Sequence, residues 1–218
     1  MLAELQRQLH ETYQTGSDHD VRHFLITDQT LAQALSTGEL SGCAGETLLM
    51  CEEDDGIALS LYLDRKILER LESANPLDEL RPEQLDDFCK VIEGLSHFNY
   101  VIWKASQDRT VSLLELELQA EVDKFVSTMQ LAREQKDPDM LNGLFRRLFD
   151  MVKFRHDLDE EQSARYRAAN DYAARFCRSL RPRLLQDSEG VLAELRRFYR
   201  LQLADKISHI HANAWSAG

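Results

Sequence analysis

The stretch ETLLMCEEDDGIALSLYLD, residues 46–64, narrows the range of folds more than any other part of the chain. Asp55-Gly56 is a two-residue turn of the kind whose central residues need positive φ, and it joins two runs of strand composition. With those residues at the turn, Ile57 faces Asp54, Leu59 faces Glu52, Leu61 faces Met50 and Leu63 faces Leu48. Leu48, Met50, Leu59, Leu61 and Leu63 then share one face, as a half-buried hairpin requires. VRHFLIT, residues 21–27, also has strand composition and predicts a third strand of a small antiparallel sheet. Three strands are stable only when their apolar face is covered, and helices are the available cover.

Helical periodicity dominates the rest. Leu2, Leu5 and Leu9 form one stripe of a helix from about Leu2 to Tyr13. Asp28 can cap a short helix through DQTLAQAL, and RKILERLES reads as another. Pro82 suits the first turn of a long helix running through about Ala105. Its apolar residues (Val91, Ile92, Leu95, Phe98, Val101 and Ile102 among them) nearly encircle the axis, so this helix is expected at the centre of the molecule. Ser112 and Glu115 form an S-x-x-E capping signature. Behind it, Leu114, Leu118, Val122, Phe125 and Met129 make a continuous stripe, so the alternating LELEL within it belongs to a helix and not a strand. Asp137-Pro138 opens a third long helix to about Phe154. Asp159 opens a fourth, ended near Leu180 by Arg181-Pro182, and a fifth starts near Ser188 with Leu192, Leu195 and Tyr199 on one stripe.

Strands in front and helices behind give an α+β fold: a small antiparallel sheet of about three strands with flanking helices, followed by a mainly antiparallel helical bundle. Residues 1–75 form the α/β region and residues 76–218 the bundle, packed together as one unit.

The formal charge of −12 is unevenly placed. Residues 1–110 hold 9 basic and 21 acidic residues, and residues 111–218 hold 17 of each. The acidity argues against nucleic-acid binding, and the asymmetry points to two surfaces with different partners. No run approaches the roughly 20 apolar residues that span a bilayer, and MLAELQRQLHETYQ lacks the apolar core of a secretory signal. Cys43, Cys51, Cys89 and Cys177 form no C-x-x-C and fit reduced thiols in a cytoplasm. Cys43, in the loop GELSGCAGE, is the one expected to be exposed. That loop lacks the lysine and spacing of a phosphate-binding loop.

Two constellations remain. Glu93 and His97 lie four apart on the central helix, with Tyr100 and Lys104 continuing that face, and Glu117 and Glu121 lie four apart on the next, followed by Lys124. Inward Glu and His on facing helices are how bundles hold divalent metals such as iron, although the usual spacing is Glu-x-x-His and no second copy is present. The structural alternative is a self-satisfied Glu93–His97 pair, with Glu117, Glu121 and Lys124 on a solvated face. The second constellation is an arginine-rich helix, in which Arg167, Arg175, Arg178 and Arg181 fall within about 120° of one another. Such a stripe suits an acidic protein surface or another anion.

Two histidine motifs carry less. His209 and His211 point about 200° apart on a helix, so they cannot chelate together, and Asp205 is placed to pair with His209. Arg155-His156-Asp157 has no nucleophile context. The sequence therefore favours a cytoplasmic, non-catalytic interaction or regulatory protein that binds another protein through the arginine stripe, with homo-oligomerisation left open. The alternative is a metal-dependent enzyme using Glu93, His97, Glu117 and Glu121.

Overall fold

The computed structural model describes residues 1–16, 18–35, 45–53, 56–152, 158–186 and 188–214. Helix α1 spans Leu2–Tyr13 and is followed by a 3₁₀ turn at Val21–His23, strand β1 (Leu25–Ile26) and helix α2 (Gln29–Leu35). Strands β2 (Glu46–Glu53) and β3 (Gly56–Leu63) and helix α3 (Arg65–Ser73) complete the front of the chain. The bundle contains α4 (Leu85–Ser106), α5 (Leu113–Glu134), α6 (Pro138–Phe145), α7 (Glu160–Gln186), α8 (Ser188–Arg200) and α9 (Leu203–Ala214). The α+β layout is the one expected from sequence.

The sheet runs β1-β3-β2 and differs from expectation in two ways. First, β1 pairs with β3 in parallel, so the sheet is mixed. Asp20 caps the chain by accepting from the Arg22 amide, which winds Val21–His23 into a 3₁₀ turn and leaves two residues for the strand. Second, Glu52 faces Ile57, Met50 faces Leu59, Leu48 faces Leu61 and Glu46 faces Leu63. The hairpin is thus shifted by two residues from an Asp55-Gly56 turn. Gly56 lies in β3, and Asp54 and Asp55 lie outside the described residues. A two-residue shift preserves which side chains share a face.

Leu61 and Leu63 are buried against α4 as part of the main core. The opposite face carries Leu49 and Tyr62, covered by Ala32 of α2 in a small second cluster. Gly94 of α4 permits the close approach of the sheet. A Cβ there would lie 3.0 Å from Leu61 Cδ1, 3.2 Å from Leu63 Cδ2 and 3.3 Å from Glu46 Oε2. Gly45, at φ +94°, accepts from the Asp64 amide and lies against Ile67, and so delivers Glu46 to the start of β2 beside α4.

Helices α4 and α5 pack on each other, and α5 is covered in turn by α6 and α7. Caps fall where the sequence places them. Ser112 Oγ accepts from the Glu115 amide at 3.2 Å, and Asp137 accepts from the amides of Asp139 and Met140. The third bundle helix ends earlier than about Phe154: α6 gives way to a π-helical turn at Arg146–Asp150. Conversely, α7 runs through Pro182 to Gln186. Proline forfeits one backbone hydrogen bond there. The last turn is held because Leu184 is buried and its carbonyl accepts from Arg133 Nη1 at 3.2 Å.

The Gly94 contact makes a stability prediction. Gly94→Val is expected to lower unfolding stability by about 2 kcal/mol through overpacking against the sheet. Gly94→Ala should change it by less than about 1 kcal/mol, since the gain in helix propensity offsets slight crowding. Urea denaturation of both variants checks this, and equal tolerance of valine and alanine would contradict the close packing.

Candidate functional site

A helix on a protein surface alternates buried and exposed residues, but Glu115–Ala120 of α5 are six consecutive buried residues. The sequence ELELQA therefore buries its charges along with its leucines. Burying a carboxylate is costly unless it is paired, so each acidic group here must find a partner from α4, α7, α9 or the sheet. The partners form two networks on opposite sides of α5.

On the first side, the structure brings together Glu93 and His97 of α4 and Glu117 of α5. One ligand atom from each can be chosen so that all three lie within 4.8 Å of one another. Glu121 joins through Lys124, whose ammonium lies 3.0 Å from Glu93 Oε2 and 2.8 Å from Glu121 Oε1. The solvated-face alternative is thus overturned, because α7 and the sheet cover what a helical wheel of α5 leaves open. Neither does Glu93 pair with His97. His97 lies between two other carboxylates, with Glu46 Oε2 at 3.8 Å from Nδ1 and Glu117 Oε2 at 3.8 Å from Nε2. At that range these are ion-pair contacts and not hydrogen bonds. Both His97 Nε2 and Glu46 Oε2 are buried without a hydrogen-bond partner.

Glu46 is the member that sequence reasoning missed. It reaches the site from β2, and the signal that could have found it is the conjunction of Gly45 and the hairpin register. Tyr100 and Lys104, expected on the Glu93–His97 face, belong to the other side of α4.

The electrostatics follow from four carboxylates against two cationic side chains. Burial would drive the proton from His97, but Glu46, Glu117 and Glu93 outweigh this and raise its pKa to about 9. Burial pushes Glu117 up to about 7 and also raises Glu46 and Glu121. For Glu93 burial works in the same sense, yet Lys124 and His97 hold its pKa below the ordinary value. Burial opposes the charge on Lys124, and Glu121 and Glu93 keep it firmly protonated. Tyr166 of α7 is half-buried and shielded from ionising by burial and by the same carboxylates.

A cavity of about 460 Å³ opens beside this network, lined by Glu46, Cys89, Glu93, Glu121 and Lys124 at its buried end. Arg147, Leu148 and Met151 of the π turn and its exit line it as well. Cys89 is a buried free thiol whose pKa burial pushes up to about 12, so it is a wall and not a nucleophile.

In the second network the carboxylates accept hydrogen bonds, although Lys104 Nζ, like His97 Nε2, makes none. Asp123 accepts from Ser96 Oγ at 2.6 Å, from Gln119 Nε2 at 2.9 Å and from the Tyr13 hydroxyl. Glu115 Oε1 lies 2.6 Å from Lys104 Nζ and accepts from the Tyr100 hydroxyl at 2.7 Å. Glu115 therefore does not reach back to its helix start, and half of the expected capping box is absent. Lys206 of α9, at 0% exposure, donates to Gln119 Oε1 at 2.6 Å and lies over the Phe198 ring.

The arginine stripe is partly engaged within the molecule. Arg181 donates to the carbonyls of Leu141 and Asn142 in α6 at 3.5 and 3.2 Å, and Arg178 lies over the Phe145 ring. Arg175 pairs with Asp171 at 2.8 Å, and Arg167 Nε lies 3.3 Å from Ser163 Oγ. His209 pairs with Glu194 of α8 and not with Asp205, while His211 lies edge-on to Tyr172. Cys177 is buried and unbridged. Cys43, with most of its glycine-containing loop, and Arg155-His156-Asp157 lie outside the described residues, as does the side chain of Cys51. Among the described residues, no helix is long and apolar enough to cross a membrane.

Lys206 carries a pH prediction. Burial lowers its pKa from 10.5 to about 7, against the pull of Glu115 and Asp123. Its contribution to stability is present above the ordinary lysine pKa and is lost as pH falls toward 7. Lys206→Met should therefore remove part of a rise in stability between pH 7 and 10, up to about 1.4 kcal/mol per pH unit. Urea unfolding at several pH values reads this directly. A constant difference between variant and wild type would show that Lys206 protonates freely in the fold.

The chain matches no known protein-family model, no curated protein and no solved structure.

Proposed function

We propose that the protein is a metal-dependent enzyme with a single divalent-cation centre inside the helical bundle, held by Glu93, His97 and Glu117. The observation that carries this reading is the open half of the buried charge network: three convergent ligand atoms, with His97 Nε2 among them making no hydrogen bond. The neighbouring network on α5 satisfies its carboxylates with hydroxyl and amide donors and an ammonium ion pair. The first network leaves four carboxylates facing one lysine and one histidine, a deficit of positive charge that a divalent cation supplies.

The donor set suits iron, manganese or zinc, for which mixed imidazole and carboxylate ligation is ordinary. Glu46, at the Nδ1 side of His97, is placed to orient the ring as carboxylates behind metal-bound histidines do. A cation here would offer Lewis-acid chemistry, or redox chemistry in the case of iron or manganese, to a small molecule in the adjoining cavity. Lys124 occupies the position between Glu93 and Glu121 where a second cation would otherwise sit, so the centre is read as mononuclear. The competing idea, a non-catalytic protein that docks a partner on its arginine helix, has weaker support because Arg178 and Arg181 are engaged with α6.

Elemental analysis of tag-free protein purified without chelator is expected to give close to one metal ion per chain, directly or after anaerobic loading with Fe²⁺, Mn²⁺ or Zn²⁺. Glu93→Gln, His97→Gln and Glu117→Gln should each weaken binding at least tenfold. Protein that is folded and remains metal-free after loading would sink the reading.

Lys124 gives a separate prediction. Lys124→Met should raise capacity from one to two metal ions per chain, because Glu93 and Glu121 are then left to share a cation. Glu121→Gln combined with Lys124→Met should return it to one, and circular dichroism confirms folding of both variants. A Lys124→Met protein that still binds one ion would show that the lysine does not set the stoichiometry.

Binding also requires His97 and Glu117 to be deprotonated. Since both are raised, apparent affinity should climb with pH, by about tenfold per unit for each proton released, until His97 has titrated near 9. Zinc titrations from pH 6.5 to 9 check the sign.

A further inference from the structure

The cavity beside the charge network has a gradient of exposure that bears on what enters it. Glu93, Glu121 and Lys124 are largely buried, with side chains 20%, 16% and 12% exposed. Arg147 and Met151 are exposed and stand at the mouth. Between these ends the wall includes the apolar side chains of Leu85, Leu148 and Val152.

The charges at the mouth are not equivalent. Lys90 is bound to Asp86 at 2.5 Å, which leaves that pair neutral. Arg147 has no acidic partner among the described residues. Its Nη1 meets the sulfur of Met140 at 4.0 Å, and a Cβ on Gly143 would lie 3.6 Å from its Nε, so the side chain lies back along α6. An arginine fork is built for bidentate binding of a carboxylate, and this one stands at the rim of an apolar-walled cavity.

Its position is fixed by an unusual piece of backbone. Arg146–Asp150 form a π-helical turn, a geometry that recurs at functional sites because one extra residue re-aims the side chains that follow. The turn is clamped from two sides. Phe149 packs with Phe125 and Phe145, and Asn170 Nδ2 of α7 donates to the Leu148 carbonyl at 3.3 Å. The buried aromatic side of the turn thus anchors it while Arg147 and Leu148 are presented to the cavity.

We infer that the cavity binds a small apolar carboxylate, with its carboxylate held at the mouth by Arg147 and its apolar body lying along Leu85 and Leu148 toward the Glu93–Lys124 end. The inference rests on the metal-centre reading for what happens at the inner end, but the anchoring of the carboxylate does not. Lys90 and Lys124 are each paired with carboxylates, so Arg147 is the cationic group at the mouth left to select a carboxylate, and a neutral ligand would leave it unused.

Hexanoate, hexan-1-ol and hexylammonium form a series of equal length that differs in head group, and isothermal titration of each into the protein tests the proposal. Hexanoate is expected to bind at least tenfold more tightly than either of the others. Arg147→Gln should erase that preference while leaving hexan-1-ol affinity unchanged, whereas Lys90→Gln should keep it. Leu148→Trp, which fills the wall, should weaken hexanoate and hexan-1-ol alike. Equal affinity for the three ligands, no binding of any, a preference that survives Arg147→Gln, or binding untouched by Leu148→Trp would each overturn the assignment. Metal content measured on the same samples separates the two readings. Carboxylate preference in a chain that takes up no metal would retire the metal centre and keep the anchor, and one metal per chain without preference would do the reverse.

Discussion

Lys124 holds the centre of the molecule together. Its ammonium spans Glu93 of α4 and Glu121 of α5, and so ties these two helices across a largely buried seam. Without a cation there, carboxylates from facing helices would repel one another in a medium that screens them poorly. Buried ion pairs are weak contributors to stability, because desolvation offsets much of their attraction. What they impose is geometry: the side chains of α4 and α5 meet in a register that sets Lys124 between Glu93 and Glu121. The sheet then closes on α4 at Gly94, and α7 closes on α5.

The two networks on α5 make the functional argument through their difference. Asp123 is surrounded by three donors, and Glu115 accepts from a phenol beside the Lys104 ammonium, so both carboxylates on that side are hydrogen-bonded. Around His97 the same helices place carboxylates at ion-pair distance and leave ring nitrogen and carboxylate oxygen without hydrogen bonds. A carboxylate that served only to fix helix register would gain by accepting hydrogen bonds, as Asp123 and Glu115 do. Glu46, Glu93, Glu121 and Lys124 of the network around His97 also line the larger cavity, of about 460 Å³.

Much of this was legible in the sequence where the determinants are local. The hairpin faces survive a shift of register because the side-chain repeat of a strand is two residues. The caps at Ser112 and Asp137 act within a single turn, and the apolar girdle of α4 announces its central position. The convergence of Glu93, His97 and Glu117 followed from helical spacing and the antiparallel arrangement of neighbouring helices. What was hidden is long-range. Glu46 lies 47 positions before Glu93 and arrives through β2, and the burial of Glu117 depends on α7 and the sheet. The helix through Pro182 is likewise a tertiary outcome: Leu184 packing and the Arg133 contact outweigh the lost backbone bond.

The charge asymmetry of the chain takes on a different meaning in the folded molecule. Read as sequence, an arginine-rich helix beside an acidic half suggests a surface seeking a partner. In the structure, Arg181 donates to backbone carbonyls of α6, Arg178 covers Phe145 at the end of that helix, and Asn170 of the same α7 holds the carbonyl of Leu148. These contacts all converge on α6 and its π turn, the element that carries Arg147 and Leu148 to the cavity. A π turn gains less from its own hydrogen bonding than an α-helix and persists where the surrounding structure holds it. The basic helix supplies that hold. Its arginines grip α6 at Leu141, Asn142 and Phe145, ahead of the turn, while Asn170 holds the Leu148 carbonyl within it, so the arginine-rich helix supports the element that carries Arg147 and Leu148 to the cavity.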